Sequence, residues 1–484
     1  MRALPLIVVA ACSAPQAGSG SVPAWVSDTS SYGSAGAPAP KPLVERYRPE
    51  AERIIATARA DRGAYTKLAE LTDRIGNRVT GSPQLDQAIA WASKSMKDDG
   101  FEVRTEPVPV TVWQRGVEEA AITQPIARPL RLIGLGGSVA TPKGGVTAPV
   151  IVIRSFEELD KRADEVKGRI VLYDVAMPVY SETTGSGYGD VVKFRGRGPS
   201  RAAKLGAVAV LMRSVTAHSL RTPHTGALRY DPEITQLKIP AAAVTVEDSA
   251  LLVRLAEKGP VSVKLVLESK SLEGQSANVI GELRGKDKPD EIVVLGAHLD
   301  SWDVGQGAHD DGAGCVTMMQ AITTLKRLGL QPRRTIRVVL FTNEENGLAG
   351  GRTYAKVHAE ELSKHVLALE ADSGGFAPRG FTVETKPETS TRVVARVAEI
   401  AALLRPINAT LVRAGHGGAD IGEMVAGGVP TLGLDTDGRT YFDIHHTEAD
   451  TLDKVDPAAL ADGVAAVAVL AYIVADLPDR VDAP

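Results

Sequence analysis

The feature that most narrows the fold is an alternation that starts near residue 277. Short, largely apolar runs at 291–297, 335–342, 366–371 and 429–434 take turns with stretches at 312–328, 348–358 and 391–404, where apolar residues recur at helical spacing. Strands apolar on both faces need cover on both sides, and intervening helices supply it. The pattern predicts an α/β fold: a mostly parallel sheet with helices on both faces. A last, long helix is predicted to open at Asp456, a good N-cap, with Pro457 in its first turn.

Upstream the texture differs. Helical spacing at 65–75 and 85–96, split by the turn Gly81-Ser82-Pro83, precedes a strand at 103–112. Between 116 and 272, short apolar runs at 150–153, 170–173, 207–211 and 241–246 are punctuated by Gly and Pro, with a helix-like piece at 201–205. This predicts a small β-rich insert at 116–272, set into an α/β domain made of 42–115 and 273–484. The glycine-rich stretch from Gly134 to Gly145 lacks the spacing and following helix of a nucleotide loop.

The N-terminal segment reads as an export signal. Met1-Arg2 precede an apolar run to Ala11, and Val9-Ala10-Ala11-Cys12 resembles a bacterial lipobox, which implies a lipid anchor through Cys12. Residues 13–41 read as a flexible linker. The expected location is therefore exported: periplasmic, membrane-anchored or secreted. No other apolar run reads as long enough to span a bilayer. The second cysteine, Cys315, shares helical spacing with Met318, Ile322 and Leu325 and reads as a core thiol. A net charge of −4 without a basic block argues against a nucleic-acid partner.

In an open α/β sheet, ligands gather at the carboxyl ends of the strands. His298-Leu299-Asp300 follows the first predicted strand, Asn343-Glu344-Glu345 the second and Asp372 the third, while His445-His446 lies beyond the fourth and Asp310-Asp311 opens the first helix. Singly, each has an ordinary reading as a cap, a turn or a solvated face. Together, carboxylates crowded at one edge would repel and resist ionisation unless a cation joins them. Imidazole and carboxylate without thiolate suit zinc, with cobalt or manganese as substitutes. Five donors, His298, Asp310, Glu345, Asp372 and His446, exceed one open zinc site and suit two ions sharing a carboxylate.

The run from His298 to Gly312, the segment Asn343-Glu344-Glu345-Asn346-Gly347 and the segment His446-Thr447-Glu448-Ala449-Asp450-Thr451 resemble the co-catalytic two-zinc aminopeptidase and carboxypeptidase family. The resemblance covers roughly residues 45 to 480, and the insert, through 167–172 and 206–211, is similar to a protease-associated domain. It implies that His298 and Asp372 bind one zinc and Glu345 and His446 the other. Asp310 would bridge them, across a cis Asp310–Asp311 peptide. Glu344 would be the general base, and the Asp300 carboxylate would accept from the His298 ring.

Some positions stay open. Glu370 rivals Asp372, and His445 rivals His446, although the spacing to Asp450 favours His446. The resemblance departs at His309, a methionine in an animal member of the family, and His309 is read as a rim residue. His416, Tyr441 and His445 are candidates to face a developing oxyanion, Asp420 to orient a substrate terminus, and Asp311 to support the site. The implied activity is hydrolysis of short peptides, chiefly dipeptides with free termini. A broad aminopeptidase is the alternative; a non-catalytic binding protein and a one-zinc glutaminyl cyclase are more distant. The insert would cap the site, limit substrate length and help a homodimer form.

Overall fold

Each apolar run of the alternating segment is a strand and each helical run a helix. In the computed structural model, which describes residues 42–218, 220–234 and 237–483, the sheet edge begins at Leu411–Ala414. It continues through Pro378–Glu384, Thr431–Thr436, His365–Glu370, Lys288–His298, Arg334–Phe341 and Ser262–Leu283. The signal and linker expected at 1–12 and 13–41 lie outside the described residues.

Thr431–Thr436, His365–Glu370, Lys288–His298 and Arg334–Phe341 run parallel to one another. Every residue of His365–Glu370 and Arg334–Phe341 is buried, so both faces need cover. Leu43–Ala60, Ala313–Arg327 and Pro457–Asp476 pack on one face, against Val293, Leu295 and Ala297. Ala349–Val357 and Gly422–Ala426 pack on the other, around Ile292, Val294 and Phe341. Cys315 is buried in the Ala313–Arg327 helix, as expected.

The last helix starts as predicted, with the Asp456 carboxylate accepting the Ala458 N–H at 2.7 Å. One sequence expectation needs correcting here. Pro457–Asp476 is long and apolar enough to cross a membrane, with mean hydropathy 2.1, whereas no such run was expected beyond the N-terminus. Its apolar window is 89% buried within the protein, so the helix is the spine of the core. A largely apolar helix of this length meets the criterion whatever surrounds it, lipid or sheet.

Glu102–Gln124 and Ser262–Leu283 form a long antiparallel ribbon in which Glu102 faces Glu282 and Gln124 faces Ser262. Ser262–Leu283 pairs with Arg334–Phe341 at one end and with Val146–Ile153 at the other, carrying the sheet into the segment expected as an insert. There Val146–Ile153, Ile170–Tyr173, Ala209–Arg213 and Ala241–Val244 lie parallel. The boundaries expected at 116 and 272 fall inside the two ribbon strands. Besides strands, the segment holds the helices Tyr188–Lys204 and Val246–Ala256, packed on opposite faces. Only the end of the first was legible, because Gly189, Gly196, Gly198 and Pro199 interrupt its apolar period.

Candidate metal centre

The parallel strands deliver their chemistry to one edge. His298 ends Lys288–His298, the Glu344-Glu345 pair follows Arg334–Phe341, and Asp372 follows His365–Glu370. Two non-glycine residues here adopt left-handed backbone, Asn343 at φ 63° and His446 at φ 61°. Such positions cost roughly 1–3 kcal/mol and persist where the surroundings over-determine them. At Asn343 the turn aims the Glu344 N–H at the Asp300 carboxylate, 3.1 Å away.

Asp310 sits at the middle of the cluster. Its Oδ1 is 3.1 Å from His298 Nε2, and its Oδ2 is 3.2 Å from His446 Nε2. Asp372 lies 3.4 Å from the same His298 nitrogen, and Glu345 3.2 Å from the same His446 nitrogen. A tetrahedral zinc with bonds of about 2.0–2.1 Å separates its donors by roughly 3.3 Å. The spacings on both sides of Asp310 therefore match the separation of zinc donors. His298 Nε2, Asp310 Oδ2 and Glu345 Oε1 are buried without a hydrogen-bond partner, as atoms reserved for a metal would be. His445 Nε2 stands 3.6 Å from Asp310 Oδ2 with its ring stacked on His446, so both histidines reach the cluster.

The electrostatics agree. Burial alone would lower both imidazoles, but Asp372 and Asp310 lift His298, and Glu345 and Asp310 lift His446, well above the usual value. Burial and the Asp310 charge push Glu345 up to about 7. Burial also drives Glu344 well above the carboxylate range, with Asp372, Glu345 and Asp300 adding to it against His298. The cluster demands positive charge, as protons or as metal.

Supporting contacts fix the donors. His298 Nδ1 lies 3.0 Å from the carbonyl oxygen of Asp300 and 3.9 Å from its carboxylate. The backbone carbonyl thus takes the tautomer-fixing part expected of the side chain. The Asp300 carboxylate is committed to the Glu344 N–H and the Thr80 hydroxyl instead. Asp311, beyond the expected cis peptide, accepts the His298 and Gly314 N–H groups at 3.1 Å each. His446 Nδ1 faces the Thr225 carbonyl of the insert at 3.2 Å.

Other expectations change. His309 is no rim residue: it is 1% exposed, stacks on Phe376 and accepts the Gly375 N–H at Nδ1. His416 is exposed and stands outside the cavity wall, its carbonyl accepting the Thr382 hydroxyl. Asp420 is buried and stands outside that wall, with both carboxylate oxygens lacking a hydrogen-bond partner. Glu370, the rival of Asp372, is spent on the N–H groups of Ala419, Asp420 and Ile421. Tyr441 and His445 do line the cavity, which measures about 520 Å³ and reaches Asp310, Glu344, Glu345 and Asp372.

Sequence reasoning missed three contributors. Arg78, fully buried, donates to the carbonyls of Gly76, Leu299, Gln306 and Gly307 and braces the loop between His298 and Asp310. Asp450 had served only as a spacing mark, yet its carboxylate accepts the N–H groups of His309 and Asp310. Arg195 comes from the glycine-interrupted helix of the insert and lines the cavity. A lone arginine in a loop carries no sequence signal for such work.

Residues 278–471 match the sequence pattern of peptidase family M28. Carboxypeptidase Q of Xenopus laevis is 40% identical over 448 residues, which cover 91% of this chain and 92% of that protein. A crystal structure of a peptidase M28 precursor from Shewanella amazonensis SB2B is similar at TM-score 0.85 and 37% identity, covering 90% of this chain and 98% of that one. BSAP, a zinc aminopeptidase from Bacillus subtilis, shares the fold at TM-score 0.64 and 20% identity, with 87% of this chain and 96% of that one covered.

Proposed function

The chain belongs to peptidase family M28 and is a metallopeptidase, and on that premise we propose that it is a zinc-dependent exopeptidase for short peptides, chiefly dipeptides with free termini. The observation that carries the reading is Asp310, whose two oxygens each face one imidazole at about the donor spacing of zinc. His298 and Asp372 would hold one zinc, Glu345 and His446 a second, with Asp310 shared. Zinc bound there supplies Lewis acidity, which polarises a carbonyl oxygen and lowers the pKa of water. Glu344 lines the same cavity. It takes the proton of the attacking water and returns it to the leaving amine. Tyr441 and His445 share that wall, which supports a part for them opposite the developing oxyanion.

Residues 116–272 act in this reading as a protease-associated-like cap. Tyr180, Tyr188 and Arg195 of that segment close one side of the cavity, which limits substrate length. Export, lipid attachment at Cys12 and a homodimer complete the proposal. The test is a panel of dipeptides and tripeptides, free and blocked at either end, run with metal analysis of the purified protein. About two zinc per chain and hydrolysis of unblocked dipeptides are expected. Full activity in a metal-free preparation would overturn the reading, and fast cleavage of carboxyl-blocked longer peptides would favour the broad aminopeptidase.

A further inference from the structure

Arg195 carries a charge that no carboxylate among the described residues meets at ion-pair distance. It is 7% exposed. Arg115, comparably placed at the base of the insert, has both Asp303 and Glu118, and Arg413 on the cavity wall has Asp435. The contacts of Arg195 are a carbonyl, a hydroxyl and an imidazole. Nη1 donates to the Thr225 carbonyl at 3.3 Å and lies 3.5 Å from His446 Nδ1, Nη2 donates to the Tyr188 hydroxyl at 2.8 Å, and Nε has no partner. Gly226 makes the room, since a Cβ there would fall 2.2 Å from Nη1. A buried cation without a partner is costly, so a site that keeps one is built for an anion that arrives from outside.

The position says which anion. Arg195 lines the same cavity as Asp310 and Glu344 and is separated from the carboxylate cluster by the width of the His446 ring. One residue of extended peptide spans about 3.3–3.6 Å. A carboxylate held by Arg195 therefore leaves the peptide bond one residue inward over Asp310. We propose that Arg195 binds the free α-carboxylate of the substrate and makes the enzyme select peptides whose last residue is the one released. Guanidinium is suited to this, because its fork matches a carboxylate with two parallel hydrogen bonds. The assignment rests on the exopeptidase reading and adds to it the anchored terminus.

The experiment compares kcat/KM for a dipeptide and its C-terminal amide in the wild type, Arg195→Gln and Arg195→Lys, with zinc content and melting temperature recorded for each. The wild type is expected to prefer the acid by about 10- to 100-fold, the worth of charge-assisted hydrogen bonds. Arg195→Gln should bring that ratio close to one with zinc retained, and Arg195→Lys should recover part of it. Equal losses on acid and amide, accompanied by loss of zinc, would overturn the proposal and make Arg195 a support for Thr225 and His446. Should Arg195→Gln fail to fold, the ratio in the wild type and in Arg195→Lys decides. A wild type that cleaves the amide as fast as the acid overturns the assignment and leaves the exopeptidase reading standing. A wild type that cleaves no peptide overturns that reading instead. Arg195 is then judged alone, by titrating leucine against leucinamide into the zinc-loaded protein: equal affinities refute the proposal, and tighter binding of leucine supports it.

Discussion

The carboxylate of Asp450 holds the backbone that carries Asp310, its two oxygens accepting the N–H groups of His309 at 2.8 Å and of Asp310 at 3.1 Å. Asp310, the carboxylate proposed to be shared, is thereby fixed from the far end of the chain. Outer groups of this kind typically govern metal affinity by 10–100-fold. Asp450→Ala is expected to weaken zinc retention by about that factor in a chelator competition, while circular dichroism stays native. Asp450→Asn, which keeps one accepting oxygen, should fall between. Unchanged zinc retention in Asp450→Ala would refute the role.

The adjacent glutamates should separate on mutation. Glu345 faces His446 at 3.2 Å, whereas Glu344 has no contact of that kind among the described residues and lines the cavity. Glu344→Gln is expected to keep its zinc and lose about 10²–10⁴ in kcat. Glu345→Gln should lose zinc as well as activity. Metal analysis beside single-turnover kinetics distinguishes the two, and an active Glu344→Gln enzyme would remove Glu344 as the base.

Acid stability should depend on Glu282. Burial would raise this carboxyl, but the Arg337 and Arg104 guanidinium groups, at 2.7 and 3.1 Å, outweigh it and hold the group below the usual range. An unfolded glutamate titrates near about 4.3. The stabilisation is therefore complete above that pH and drains away as pH falls below it, towards the lowered native value. Glu282→Gln is expected to cost about 1.5–3 kcal/mol at pH 7 and to flatten the loss of melting temperature below about pH 4.3. A parallel pH profile for mutant and wild type would contradict this.

A glycine in the Ala313–Arg327 helix ties packing to the centre. A Cβ on Gly314 would lie 2.1 Å from the carbonyl oxygen of Ala371 and 2.3 Å from the Asp311 carboxylate. Helix propensity favours alanine by about 1 kcal/mol, but overpacking against backbone costs about 1–3 kcal/mol or more. The clash wins. Gly314→Ala should lower the melting temperature and also weaken zinc binding, because Ala371 precedes Asp372 and Asp311 anchors the His298 N–H. A more stable Gly314→Ala protein would show that the helix can shift.

The residues that were legible are those whose position follows from strand ends. His298 ends one parallel strand and Glu345 and Asp372 follow two others, so the alternation alone put them at one edge. What escaped depends on contacts across long stretches of chain. Whether Asp300 uses its carbonyl or its carboxylate, whether Phe376 covers His309, and whether Arg195 finds a counter-ion are decided by neighbours far away in sequence. The strand Pro378–Glu384 was missed because Pro378 and Gly380 break its pattern, and Leu411–Ala414 because an edge strand need not be apolar.

The paired strands Glu102–Gln124 and Ser262–Leu283 also set a timetable for biosynthesis. Glu102 meets Glu282 only after the whole insert has been made, and Arg334–Phe341, made later still, needs Ser262–Leu283 as its outer neighbour. Residues 116–272 can thus be complete on the ribosome before any of the parallel strands that end at the candidate centre exist. Pairings between distant segments form slowly, and a strand denied its neighbour is an edge that recruits other chains. A break in the insert would therefore be felt first as aggregation of the half it does not belong to.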